Sequence, residues 1–201
     1  GATQTLLATL ETRLRLLAPF VPFLTNELHE ELRGVPAEEA GWPEPIEAFD
    51  APAAELREAR GEALTADVRD VIGVTDIDPE IVRVYVAADW KRDTFDAVRE
   101  AGADVGAAMS EAMSNPALRE RGDAVNDLVQ ELVGFARGRD DDELAALAGL
   151  DEHAAYADAT DFLAREFDAD VEVYTEDDPD AVDPAGKAGQ AVPFRPAIHI
   201  E

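Results

Sequence analysis

Cysteine is absent from the 201 residues, which excludes disulfides, thiolate metal sites and cysteine nucleophiles. Lysine is nearly absent: of 17 basic residues only Lys91 and Lys187 are lysines. The 3 histidines, His29, His153 and His199, stand far apart without a ligand-like spacing, so they are expected as surface or packing residues and no metal site is expected. No stretch reaches the roughly 18 uninterrupted apolar residues of a membrane span. The amino terminus lacks the basic-then-apolar layout of a signal peptide. These two absences predict a cytoplasmic chain with no membrane partner. The sequence begins with Gly1 and runs straight into an amphipathic pattern, as expected of a chain cut from something larger.

What is abundant is acid. Asp and Glu number 45 against 17 Lys and Arg, for a net charge of -28 and a pI near 4.2. Yet 46% of residues are hydrophobic and aliphatic periodicity persists almost throughout, so disorder does not explain the charge. A surface dense in short carboxylates and poor in lysine suits a protein soluble in molar salt. There the Debye length falls to about 3 Å and self-repulsion is screened. The acid is spread everywhere, which argues against an acidic tail or a calcium-binding surface.

Leu7, Leu10, Leu14, Leu17, Val21, Leu24 and Leu28 recur at steps of three and four, placing them on one helical stripe. Pro19 and Pro22 interrupt it, which predicts one helix ending near Leu17 and a second starting at Pro22 and closing at Gly34. Residues 35–52, with Pro36, Trp42, Pro43, Pro45 and Pro52, hold no periodic run. The domain boundary is expected there, giving 1–50 and 51–201. A third helix is predicted over about 53–72 with Gly73 as its C-cap. Ile81 to Ala87 alternates as a strand, with Val82, Val84 and Val86 on one face and Ile81, Arg83 and Tyr85 on the other. Asp89 is placed to cap a helix from Trp90 to Ala101. Helices are further expected at about 104–113, 121–137 and 151–167, then strands over Val171 to Thr175 and Ala197 to Ile200. The fold class predicted is α+β: a helical segment, then a small sheet with helices packed on one face.

Candidate chemistry is thin. Asp140, Asp141, Asp142 and Glu143 lack the alternating ligands and central glycine of a calcium loop and read as a solvated helix start. Glu176, Asp177, Asp178, Asp180 and Asp183 form a similar acidic run. Any two of 45 acids could be named as a catalytic pair, so none is. Gly186-Lys187-Ala188-Gly189 has the G-x-x-G form with which one RNA-binding module clamps a backbone; a flexible turn before Pro193 is the plainer alternative. Trp90-Lys91-Arg92 sets an aromatic beside two cations, with Trp90 equally suited to the core. In the last segment Pro193 and Pro196 stiffen the approach to the strand Ala197 to Ile200. Its final backbone groups are expected to project outward, where they could read bases in a single-stranded loop.

Leu16-Leu17-Ala18-Pro19-Phe20-Val21-Pro22-Phe23, followed by Glu27-Leu28, resembles the helix pair in the anticodon-binding bundle of class I aminoacyl-tRNA synthetases for branched aliphatic amino acids. Asn26 and His29 depart from that pattern, where an acid and a tryptophan are usual, while Gly41-Trp42-Pro43 fits its exit. Val84-Tyr85-Val86-Ala87-Ala88-Asp89-Trp90-Lys91 resembles the strand-to-helix entry of the extra domain in archaeal-type leucyl-tRNA synthetases. Asp183 to Ala188 and Ala191 to Glu201 resemble that family's carboxy terminus. The resemblance covers nearly the whole chain and is loosest between 100 and 170.

It implies a ligase that joins leucine to tRNA using ATP and edits mischarged products in a separate domain. The His-Ile-Gly-His and Lys-Met-Ser-Lys-Ser signatures are absent from this sequence, so no catalytic residue is expected here. No cofactor is expected in this stretch either, ATP belonging to the catalytic domain of the full-length protein. The partners implied are leucine tRNA, through its long variable arm, and the rest of the same synthetase chain, the whole being monomeric. On matching positions RNA contact falls to Ile200 and Glu201, supported by Arg195 and Lys187, with Lys91 and Arg92 as further candidates. The charge of -28 opposes phosphate binding, but recognition in molar salt leans on shape and base edges. A stand-alone acidic RNA-binding module and a protein-interaction domain remain open as alternatives.

Overall fold

The computed structural model describes residues 2–45, 51–75 and 77–201. It divides into two compact units, 1–50 and 51–201, taken here in turn.

The first unit is a helix pair, α1 (Ala2–Leu17) and α2 (Pro22–Arg33). The prolines act as expected: Phe20 and Val21 donate to the Leu17 carbonyl, and Pro22 opens α2, where a missing N–H is no loss. Gly34 closes it at φ 79° and donates to the Glu30 carbonyl, a conformation that glycine adopts without steric penalty. The Arg15 guanidinium takes the carbonyls of Ala40, Gly41 and Trp42, tying the exit segment back onto α1. His29 is buried with Nδ1 2.7 Å from the Val35 carbonyl. Of the apolar stripe, Leu14 is buried, whereas Leu7, Leu10, Leu17, Val21, Leu24 and Leu28 are exposed, as are Phe20 and Phe23. Two helices cover only a narrow seam of each other. The rest of that apolar face is left exposed.

The second unit is an α+β domain. Its elements are α3 (Pro52–Thr75), β1 (Ile81–Val86), α4 (Asp89–Glu100), α5 (Val105–Ser114), α6 (Pro116–Arg119), α7 (Gly122–Ala136), α8 (Asp141–Ala148), α9 (Glu152–Phe167), β2 (Asp170–Thr175) and β3 (Ala197–Ile200). The strands form a sheet in the order β2-β1-β3. β1 pairs in parallel with β2 and antiparallel with β3.

Alternation in the strands sets the layers. Val82, Val84, Val86 and Ile200 meet Leu64 and Val68 of α3 and Tyr156 and Leu163 of α9 in one buried cluster. Each fully buried valine contributes about 1.5–3 kcal/mol. α3 and α9 approach closely because Gly61 faces Ala159, where an added Cβ would come within 3.3 Å. On the other sheet face Tyr85 stacks with Tyr174 at 6.2 Å and packs with Ala188, Ala191 and Ala197. α4 to α8 enclose a separate core of Phe95, Val98, Leu118, Val125, Val129, Leu132 and Leu144, into which Phe194 inserts from the segment before β3.

Two helix ends differ from the sequence expectation. α3 continues through Gly73 to Thr75, whose hydroxyl donates to the Val71 carbonyl, so Gly73 lies in the last turn instead of capping it. Asp89 is the first residue of α4 and Ala88 the cap, with no side-chain capping bond; the Ala88 N–H instead reaches the Glu176 carboxylate at 3.3 Å. The acidic run at 140–143 is a helix start, as read from the sequence: Asp140 accepts from the Glu143 N–H at 2.8 Å.

Candidate nucleic-acid interface

β3 is an edge strand, so half of its backbone groups lack a neighbouring strand. Which half follows from the ladder. Glu201 donates to the Ile81 carbonyl at 2.9 Å and accepts from the Ile81 N–H at 2.9 Å, a closely bonded antiparallel pair. The Val82–Ile200 and Val84–Ile198 pairs are then the wide ones, and the N–H and C=O of Ile198 and Ile200 point away from the sheet. The Lys187 ammonium donates to the Ile198 carbonyl at 3.2 Å, which places that cation on the same edge. The expected outward projection therefore applies to Ile200, a residue that is 7% exposed as a whole. It does not apply to Glu201, whose backbone is taken up by β1.

The other charged candidates divide into inward and outward groups. Lys91 is buried, with Nζ at 2.7 Å from Glu176, 2.9 Å from the Gly189 carbonyl and 2.5 Å from the Ala191 carbonyl. Arg92 reaches the Glu152 carboxylate at 3.0 Å and the Leu150 carbonyl at 2.6 Å. Glu152, 2% exposed, also accepts from the Phe194 N–H at 2.8 Å. Burial pushes its carboxyl above the usual range against the pull of Arg92. These adjacent cations on α4 brace the segment that leads to β3. Arg195, by contrast, is exposed and pairs with Glu131 of α7 at 2.5 Å.

The G-x-x-G turn is already occupied. Asp183 accepts from the N–H groups of Lys187 at 2.8 Å and Ala188 at 2.9 Å, the donors a backbone clamp would offer to phosphate. The Ala188 N–H, foremost, holds the Asp183 carboxyl below its ordinary value. Gly186 sits at φ 65°, where glycine is favoured.

One residue escaped the sequence reading. Arg83, 6% exposed, lies at the centre of the sheet face opposite α3 and α9, with Nε 2.8 Å from Glu172 and Nη1 3.0 Å from Glu201. The signal was present, since Val82-Arg83-Val84, Val171-Glu172-Val173 and Ile198-His199-Ile200 each set one polar residue between two apolar ones. The register aligns those three polar residues in a row.

Among the described residues no cluster of His, Cys, Asp or Glu suited to a metal ion is found, and no helix is long and apolar enough to cross a membrane.

A family profile described as the anticodon-binding domain of tRNA ligase matches residues 2–84, from α1 through the first part of β1. Over that stretch the chain is similar to the anticodon-binding domain of tRNA ligases. A leucine–tRNA ligase of Methanosarcina acetivorans is 33% identical over 208 aligned residues, covering 100% of this chain and 22% of that protein. One from Pyrococcus furiosus is 32% identical, with 93% of this chain and 18% of that protein covered. One from Methanothermobacter thermautotrophicus is 28% identical over 94% of this chain and 19% of its own length. Along nearly its whole length the chain corresponds to a carboxy-terminal region of archaeal leucine–tRNA ligases, its first part matching the anticodon-binding domain. It spans about a fifth of the length of the curated relatives it matches.

Proposed function

We propose that this chain is the tRNA-binding, non-catalytic part of a leucine–tRNA ligase that attaches leucine to its tRNA with ATP. The observation that carries this reading is the similarity to leucine–tRNA ligases along the whole chain. Residues 1–50 are the last helices of an anticodon-binding bundle, and the apolar face they leave exposed supports further helices beside them. Residues 51–201 are a domain that meets the long variable arm of leucine tRNA.

Contact falls on the free edge of β3: the outward N–H and C=O of Ile200, with Lys187 beside them and Arg195 at the turn that precedes them. Glu201 supports that edge, while Lys91 and Arg92 act at one remove by bracing the chain. The protein works as a cytoplasmic monomer in molar salt, where base-edge hydrogen bonds contribute more than phosphate contacts. The reading is tested in the complete gene product. Removal of Ile200 and Glu201 raises KM for leucine tRNA and leaves leucine activation intact, the pattern of lost uniform binding. A truncated protein that charges intact tRNA as well as its parent refutes it.

A further inference from the structure

Arg83 has no obvious place in the core. A valine there would continue the apolar run of β1, and a guanidinium withdrawn from water is costly unless its charge is answered. The answer comes from both neighbouring strands: Glu172 on β2 at 2.8 Å and Glu201 beyond β3 at 3.0 Å. The Nε contact is a hydrogen bond. The Nη1 approach lacks hydrogen-bond alignment and acts as a charge contact. His199, paired in register with Arg83, brings Nε2 to 3.2 Å from the other Glu201 oxygen. The Glu201 carboxylate is thus held from two sides, on the sheet face, at the end of a strand of 4 residues. So short an edge strand has few ladder bonds of its own to keep its end in place.

We propose that Arg83 is a positioning residue for RNA recognition. By gripping the Glu201 carboxylate it fixes the end of β3, so that Ile200 presents its N–H and C=O at one place; Glu201 is an anchor, not a base-reading side chain. This rests on the tRNA-binding reading above. The Arg83 guanidinium, then the His199 imidazole, holds the Glu201 carboxyl below its ordinary value, so the anchor is ionised at neutral pH.

The test uses the complete gene product with a leucine tRNA transcript and the same transcript lacking its variable-arm loop, binding being read by fluorescence anisotropy at fixed salt. Arg83→Gln and Glu201→Gln each weaken binding of the intact tRNA by roughly tenfold, about 1.4 kcal/mol, the scale of losing one partly buried charge contact. The double variant is no weaker than either single one, because the two side chains form one device. Arg83→Lys, which keeps the charge, recovers part of the loss. Amide exchange gives a readout without RNA: the Glu201 N–H, bonded to Ile81, exchanges faster in Arg83→Gln while the Val84 N–H of the central strand does not. Additive losses overturn the proposal, as does a Glu201→Gln protein that binds like its parent while the parent still distinguishes the two RNAs. A parent that binds both RNAs alike overturns the tRNA reading and the proposal with it. Should Arg83→Gln not fold, Glu201→Gln decides alone, since its side chain is 43% exposed and supports no core.

Discussion

Phe194 occupies a backbone conformation that side chains rarely adopt, and the balance of two opposed terms can be read from a pair of substitutions. Val192 and Arg195 exchange backbone hydrogen bonds at 3.1 and 3.0 Å, closing a tight turn with Pro193 second and Phe194 third at φ 66°. A turn with positive φ at its third position ordinarily carries glycine, and a side chain there costs about 1–2 kcal/mol. What offsets that cost is the ring, 4.8 Å from Phe95 edge-to-face and 5.5 Å from Phe135 in a stack. Loss of such a ring costs about 3–5 kcal/mol. Phe194→Ala therefore loses the ring and keeps the strain, whereas Phe194→Gly loses the ring and releases it. Glycine also loosens the unfolded chain, which takes back about 0.4–1 kcal/mol. The net expectation is that Phe194→Gly is more stable than Phe194→Ala by up to about 1.6 kcal/mol, the reverse of the usual order. Urea unfolding at about 2 M KCl, followed by circular dichroism, measures both against the parent. An alanine variant more stable than the glycine variant refutes the assignment of strain to this turn.

Three other outcomes are expected. Because burial raises the Glu152 carboxyl above its unfolded value, its contribution is fully present below the unfolded pKa and is lost as pH rises through the folded one. The stability of the parent relative to Glu152→Gln should then grow as pH falls from neutral toward about 4.3, and a gap that shrinks in paired urea titrations contradicts the direction. Lys91→Met leaves Glu176 and two carbonyls without their ammonium, so it should destabilise by about 3 kcal/mol or more. It should leave the slope of tRNA affinity against salt unchanged, since Lys91 is turned inward; a slope reduced by about one phosphate contact in a filter-binding series would point to an outward Lys91. The acid excess of 45 against 17 predicts a melting temperature that climbs between about 0.1 M and about 2 M KCl, and a flat profile removes the case for salt adaptation.

Local patterning made most of the fold legible. Proline spacing placed the break between α1 and α2, alternation placed all three strands, and the acidic run from Asp140 stands where a helix begins. The errors were local as well. Gly73 has the sequence signature of a stop, but a glycine in the last turn is tolerated when nothing downstream requires the helix to end there. Asp89 has the residue type of a cap, but its place is one residue inside, and Glu176 from a distant segment meets the Ala88 N–H instead. The candidate site was less legible because charge does not announce direction. Lys91 and Arg92 looked like free cations beside an aromatic, and what turns them inward, the carbonyls of Gly189, Ala191 and Leu150, lies 58–100 residues away in sequence. The Gly186 to Gly189 turn looked like a phosphate clamp until Asp183 is seen filling it.

The same internal pairing bears on how so acidic a chain could meet RNA. Arg69, Arg83, Arg92, Arg99, Arg139 and Arg195 each hold a carboxylate of the protein itself, and Lys91 is enclosed. That engages seven of the 14 Lys and Arg of residues 51–201 within the protein, so a binding mode built on counterion release has less to draw on. A free strand edge has no such requirement, since its N–H and C=O groups are neutral, directional and insensitive to screening, and they match the hydrogen-bonding edges of unpaired bases. Their accuracy depends on how firmly the strand is held. That gives a physical reason for so many of the scarce cations to sit inside this domain: Lys91 and Arg92 anchor the segment before β3, Lys187 lies along its edge, and Arg83 grips its end. On this reading the arginines and lysines act on RNA chiefly by holding the backbone that touches it.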